Sequence, residues 1–111
     1  MRQFNLAYMY GDNNTGVAAA GTTAATATTL TADHTLVETC TASANGVILR
    51  AGSARELKTV FNGTTTASCY VYPPSGAAFN GQTANDGILV PPGHGAMFFY
   101  FSSTKIGVIG A

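Results

Sequence analysis

The feature that most constrains this fold is a series of four Asn-Gly or Asp-Gly dipeptides from residue 45 onward. They lie at 45–46, 62–63, 80–81 and 86–87. Such dipeptides supply the positive φ angles of tight hairpin turns. The segments between them are short and rich in Val, Ile, Phe, Tyr and Thr, and Pro73-Pro74 and Pro91-Pro92 add two more breaks. This pattern predicts an all-β fold, a single small antiparallel β-sandwich or barrel of jelly-roll-like type.

Two segments show the strand periodicity most clearly. Between residues 67 and 72, small apolar side chains alternate with Tyr70 and Tyr72, so the small face is predicted to point into the core. Between residues 97 and 101 both alternating sets are aromatic or apolar, which predicts a strand covered on both sides. Residues 105–109 are predicted to form a last strand beside it. The best helix candidate, residues 53–58, is too short to be stable.

The first 32 residues divide into two compositions. In residues 2–10, Phe4, Leu6, Tyr8 and Tyr10 alternate with smaller or polar residues, which predicts a strand that serves as a contact arm. Residues 16–32 are almost entirely Thr, Ala and Gly, which favours a flat strand or an ordered arm over a helix, with a disordered linker as the alternative. We therefore predict an extended N-terminal arm over 1–16 and a β-domain over 17–111.

The charge content limits the partners of the chain. Only 9% of its residues are charged, and five basic side chains balance five acidic ones. Low charge leaves little repulsion between copies, so we expect self-association and no nucleic-acid binding. The local basic group of Arg50, Arg55 and Lys58 is interpreted as a solvated strand edge, with an anionic partner as the lesser alternative. No signal peptide or membrane-spanning segment is predicted, so the protein is expected to be made in the cytoplasm without entering a membrane.

The sequence offers few groups for catalysis. The two histidines, His34 and His94, are far apart in the chain, and His94 is predicted to lie exposed at a turn. Asp33 and His34 are adjacent, so on a strand they would point to opposite faces. No catalytic residue, cofactor or metal site is predicted, and the protein is expected not to be an enzyme. Cys40 and Cys69 are interpreted as two buried reduced thiols, although a bridge between them stays open.

The order of the turns resembles a known family. The matching motifs are Gly46-Val47-Ile48-Leu49, Val60-Phe61-Asn62, Val71-Tyr72-Pro73-Pro74-Ser75-Gly76 and Phe79-Asn80-Gly81. Together with the Thr/Ala segment they are similar to a family of small β-rich bacteriophage virion proteins, of the head decoration, cement or head-fibre type. The resemblance covers roughly the last three quarters of the chain. It departs at the aromatic start and at the end, where the family pattern has a Trp that this chain lacks.

The resemblance implies a virion structural protein on the capsid surface, a homotrimer that binds the major capsid protein and stabilises the head shell. The residues predicted to contact the capsid or sister subunits are Arg2, Phe4, Leu6, Tyr8, Tyr10, Tyr70, Tyr72, Phe98 and Tyr100. The alternative is a receptor-binding or fibre module of the virion, in which Tyr70, Tyr72 and Tyr100 stack on a host-surface glycan.

Overall fold

The structure, a computed structural model, describes residues 11–111. Within that range the chain forms ten strands and no helix, and it therefore contains no helix that could cross a membrane. The strands are β1 (Asn13–Ala18), β2 (Thr28–Thr29), β3 (His34–Thr39), β4 (Gly46–Ile48), β5 (Leu57–Asn62), β6 (Cys69–Tyr72), β7 (Ala78–Phe79), β8 (Ile88–Val90), β9 (Gly95–Tyr100) and β10 (Lys105–Gly110).

The strands form two sheets, and the first six strands alternate between them. The large sheet has the order β1-β3-β5-β9-β10-β7, and the small sheet has the order β2-β4-β6-β8. Each return to a sheet adds a strand parallel to the previous one, so β1, β3 and β5 are parallel, as are β2, β4 and β6. Parallel neighbours need a long connection, and here each connection passes through a strand of the other sheet. The result is a solenoid-like coil.

The chain direction reverses after β6. Strand β8 runs antiparallel to β6, β9 runs antiparallel to both β5 and β10, and the short β7 lies parallel to β10. The predicted all-β class and the last strand at 105–109 are confirmed. The sheets are mixed, however, and the solenoid-like stacking replaces the antiparallel sandwich or barrel that the turn dipeptides predicted.

The Asn-Gly and Asp-Gly dipeptides lie where the chain leaves or enters a sheet, and not in two-residue hairpins. At two of them the positive φ belongs to the residue before the dipeptide, 80° at Ala44 and 71° at Asn85. The glycines are required there for space. A Cβ at Gly46 would lie 2.7 Å from the Tyr72 ring, and one at Gly87 would lie 2.8 Å from it. At these two positions the dipeptide glycines therefore leave space for the Tyr72 ring.

The core lies between the two sheets. Val37, Val60 and Phe98 of the large sheet and Val47 and Val71 of the small sheet are completely buried. The small face of the segment 67–72 points inward, as predicted. Two other core positions belong to the Thr/Ala segment, which is ordered and supplies the end of β1 and all of β2. The boundary expected at residue 16 falls inside β1, which pairs with β3.

Both cysteines are free thiols. Cys69 is buried in the core and Cys40 is half-buried at its edge. Burial raises the pKa of Cys69 to about 11, with a smaller contribution from Cys40. The interpretation as two reduced thiols therefore agrees with the structure.

An ion-pair cluster surrounds the buried ammonium group of Lys58. The Nζ atom of Lys58 lies 2.6 Å from an Asp33 carboxylate oxygen and 2.9 Å from one of Glu56, and the Lys58 side chain is 1% exposed. Arg50 binds the same Asp33 oxygen from the outer side. The phenol of Tyr100 donates to the Arg50 carbonyl oxygen at 2.8 Å. The interpretation of Lys58 as part of a solvated strand edge was wrong, because its charge is paired inside the fold.

A buried amide joins the two sheets. Asn62, at the end of β5, donates to the carbonyl oxygens of Ala67 and Val90 at 2.8 and 2.9 Å. Its Oδ1 accepts from the backbone N–H and the hydroxyl of Thr64. Since Val90 ends β8 and Ala67 lies just before β6, this one side chain connects the large sheet to the small one.

Candidate interaction surface

Six apolar side chains cover the outer side of the large sheet. Along β5, the side chains of 58, 60 and 62 point inward, and along β9 those of 96, 98 and 100 do so. Because strand side chains alternate, the intervening residues point away from the core. We call the outward apolar residues of β5 and β9, together with Phe101 after β9 and Ile109 of β10, the apolar face. Its members are Leu57, Phe61, Met97, Phe99, Phe101 and Ile109.

The strand register sets these side chains in rows. Leu57 of β5 lies opposite Phe99 of β9, and Met97 lies opposite Ile109 of β10. Side chains that are directly opposite on neighbouring strands are close enough to pack. Phe99 also contacts Phe101 edge to face, with ring centroids 5.0 Å apart. The apolar face is thus one continuous surface across three strands.

Two of its aromatic rings lie over glycines. A Cβ on Gly95 would lie 2.3 Å from the Phe61 ring, and one on Gly107 would lie 2.9 Å from the Phe101 ring. A ring placed over a strand glycine covers backbone that would otherwise be exposed. This packing fixes the inner side of each ring and leaves its outer side accessible.

The apolar face is unusually exposed for a small domain. Phe61 is 49%, Met97 40%, Phe101 67% and Ile109 66% exposed, and among the described residues only one other large hydrophobic side chain, Leu89 of the small sheet, is exposed. Large contiguous apolar patches are uncommon on monomeric proteins and mark interaction sites.

Two shallow grooves run along this surface. One, of about 510 Å³, lies over the row of Leu57 and Phe99, and the other, of about 490 Å³, lies beside Phe61, with Met97 lining both. Among the residues that the structure describes, none of the Asp, Glu, Lys or Arg side chains lines either groove. The polar groups at the second groove include His34, whose Nδ1 lies 2.9 Å from the Thr59 hydroxyl. The surface therefore suits an apolar partner and offers little to a charged one.

The structure separates the residues that the sequence had grouped as contacts. Phe98 and Tyr100 have no exposed surface, so the contact role predicted for them was wrong. The accessible side of β9 is the opposite side, which carries Met97 and Phe99. Tyr72 is 9% exposed and its phenol donates to the Thr22 carbonyl oxygen, whereas Tyr70 is half-buried. The three tyrosines proposed to stack on a glycan therefore form no common platform. The remaining predicted contacts lie outside the described residues: Arg2, Phe4, Leu6, Tyr8 and Tyr10.

Sequence reasoning did not select Phe61 or Ile109 for this surface. A signal was present for Phe61, because Leu57, Thr59 and Phe61 alternate with Lys58 and Val60 along what the structure shows to be β5. By hydropathy this set would be assigned to the core. It points outward because the alternate residues Lys58 and Asn62 have their hydrogen-bond partners inside the fold.

Groups for catalysis are dispersed in the described part of the chain. Asp33 contacts Lys58 and Arg50, while His34 faces Thr59 on the other side of the sheet, as the alternation predicted. His94 is exposed at its turn, also as predicted. No group of three or more His, Cys, Asp or Glu residues between 11 and 111 could hold a metal ion. Comparison with protein-family models, curated proteins and solved structures gave no match.

Proposed function

We propose that this chain is a non-enzymatic structural protein of a bacteriophage virion, a decoration or cement protein that stabilises the head shell as an oligomer. The observation that supports its assembly role is the apolar face, an uncharged aromatic surface that spans three strands. The phage setting, the homotrimer and the major capsid protein as partner come from the motif resemblance.

The occupant that best fits the apolar face is a second copy of this chain. The face lacks ionised side chains to select an oppositely charged partner, and the chain has zero net charge, so copies approach one another without long-range repulsion. Interfaces between identical subunits are also more apolar than other interfaces. Burying a side chain such as Phe101 stabilises an assembly by about 1.5–3 kcal/mol.

Sedimentation velocity of the purified protein over a micromolar concentration series tests this interface. We expect an oligomer in the wild type and a shift towards monomer in F101S and I109S. The matched control is L89S, because Leu89 is 44% exposed but lies on the small sheet. A wild type that is monomeric throughout the series, or an L89S variant that dissociates as much as F101S, would contradict the assignment of this face.

Binding to head shells that lack the protein tests the virion role separately. We expect many copies to bind to each shell and the shell to resist heating better once they are bound. Detection of only a few copies per particle, or of copies on the tail alone, would exclude a decoration role while leaving self-association intact.

The second candidate is a receptor-binding or fibre module that recognises a host-surface glycan. This candidate is supported by the half-buried Tyr70, which borders a groove lined by polar side chains. Absence of signal on a glycan array and on host cells would exclude it.

A further inference from the structure

A third groove, lined mainly by polar side chains, lies on the outer side of the small sheet. It has a volume of about 470 Å³ and is bordered by Tyr70 of β6 and by the loop that leads to β8, with Gln82, Thr83 and Asp86 as its polar side chains. These three side chains are exposed and make no hydrogen bond within residues 11–111. The groove thus combines one aromatic ring with an amide, a hydroxyl and a carboxylate that are free to bind.

The aromatic side of this groove is held in place. The rings of Tyr70 and Tyr72 stack with centroids 5.7 Å apart and planes 22° apart. Tyr72 is itself fixed by the hydrogen bond from its phenol to Thr22 and by the lack of space beside its ring at Gly46 and Gly87. Tyr70 is therefore presented by a rigid neighbour, which lowers the entropy cost of binding a ligand.

The polar side of the groove is held by turns. The N–H of Asp86 donates to the Thr83 carbonyl oxygen at 3.1 Å, and that of Gln82 donates to the Phe79 carbonyl oxygen at 3.0 Å. The N–H of Asn85 donates to Ala77 at 2.8 Å, and its side chain accepts from the N–H of Gly76. These hydrogen bonds fix the loop backbone, so Gln82, Thr83 and Asp86 are attached to an ordered loop at the border of the groove.

The geometry points to a binding site for a neutral hexopyranose, the unit of many cell-surface glycans. A pyranose ring has an apolar face that can lie on an aromatic ring, and its hydroxyls can be held by a carboxylate and an amide. Within residues 11–111 the Asp86 carboxylate has no basic partner, and it would repel an acidic sugar, so we expect the ligand to be neutral. Among the described residues Asp86 is the one carboxylate that lines the groove, and glycoside hydrolysis commonly uses a pair, so we expect the site to bind a sugar without cleaving it.

This inference gives the glycan-binding alternative its residues and sugar class and is independent of the assembly role. Titration of ¹⁵N-labelled protein with neutral methyl hexopyranosides, followed by NMR, tests it directly. We expect shifts at residues 70 and 82–87 for at least one sugar, with a dissociation constant on the order of millimolar for a single unit. The variants Y70A and D86A should each bind about tenfold more weakly, whereas Y70F should bind as the wild type does.

The matched control is T66A, because Thr66 is exposed and does not line the groove. Its affinity should be unchanged, and all variants should keep the wild-type circular dichroism spectrum. The inference is overturned if no neutral hexopyranoside shifts these signals at about tenfold the expected dissociation constant, or if Y70A and D86A bind normally. Sedimentation of Y70A should match the wild type, which keeps this result separate from the test of the apolar face.

Discussion

Replacing Asp33 should destabilise the fold far more than replacing its partner Lys58. Lys58 is 1% exposed, so D33N leaves a buried ammonium group whose remaining charged partner is Glu56, a side chain that is 46% exposed. Breaking a buried ion pair from one side costs about 3–5 kcal/mol. We expect the lower end, about 3 kcal/mol, because Glu56 stays 2.9 Å away and the Tyr100 ring still lies 5.1 Å from Nζ.

The reverse change should cost little. In K58M the methionine fills the space of the lysine stem, and Asp33 keeps its ion pair with Arg50. We expect a loss below about 1 kcal/mol, and we expect the double variant D33N/K58M to be more stable than D33N alone.

Urea unfolding followed by circular dichroism at one fixed protein concentration measures these differences. A fixed concentration is needed because self-association adds to apparent stability. With a slope of about 1.5 kcal/mol per molar urea, D33N should lower the midpoint by about 2 M. The reasoning is refuted if K58M loses as much stability as D33N, or if the double variant is the least stable of the three.

Three further changes test the buried polar groups and the apolar face. Burial acts to raise the pKa of Asp33, but hydrogen bonds from Lys58 and Arg50 outweigh burial and hold this pKa below its usual value. The stability that the Asp33 carboxylate contributes should be complete above about pH 4 and should fall as acid protonates the carboxylate. In a series of urea unfolding curves from pH 2 to 7, D33N should show a smaller loss of stability towards low pH than the wild type. N62L should cost at least about 2 kcal/mol in the same assay, because it removes the amide hydrogen bonds to the carbonyl oxygens of Ala67 and Val90 and the acceptor of the Thr64 N–H; a loss no larger than that of an exposed T66A control would contradict this. G95A should lower the thermal midpoint because its methyl group meets the Phe61 ring, and the double variant G95A/F61A should regain part of the loss; no regain would mean that the contact is not the cause.

The sequence predicted the strands better than their arrangement. Alternation and turn residues are local properties, and they identified the strand at 67–72 with its inward face. Parallel and antiparallel neighbours use the same local pattern, so the dipeptide at 62–63 could not show that the chain crosses to the other sheet there. The direction of a pair is decided by contacts between segments distant in sequence.

The sequence also did not predict which faces of β5 and β9 point into the core. In β5 the inward set includes Lys58 and Asn62, and hydropathy alone assigns the opposite face to the core. Their burial depends on Asp33 and on the carbonyl oxygens of Ala67 and Val90, none of which lies in the same strand. In β9 both faces are apolar, so no local signal could separate the core side from the candidate interaction surface.

The alternation of the first six strands between two sheets also bears on how the chain folds. Strands that follow one another in the chain do not pair with each other until β9 and β10, which are joined by a short connection. Every earlier pairing must close a loop that contains a strand of the opposite sheet, and such non-local pairing slows folding. The two sheets therefore have to form together, with the β9–β10 hairpin as the earliest local nucleus in the described chain. A ribosome-bound chain that stops before residue 95 would have no such nucleus, so folding of this domain should begin only after β10 has been synthesised.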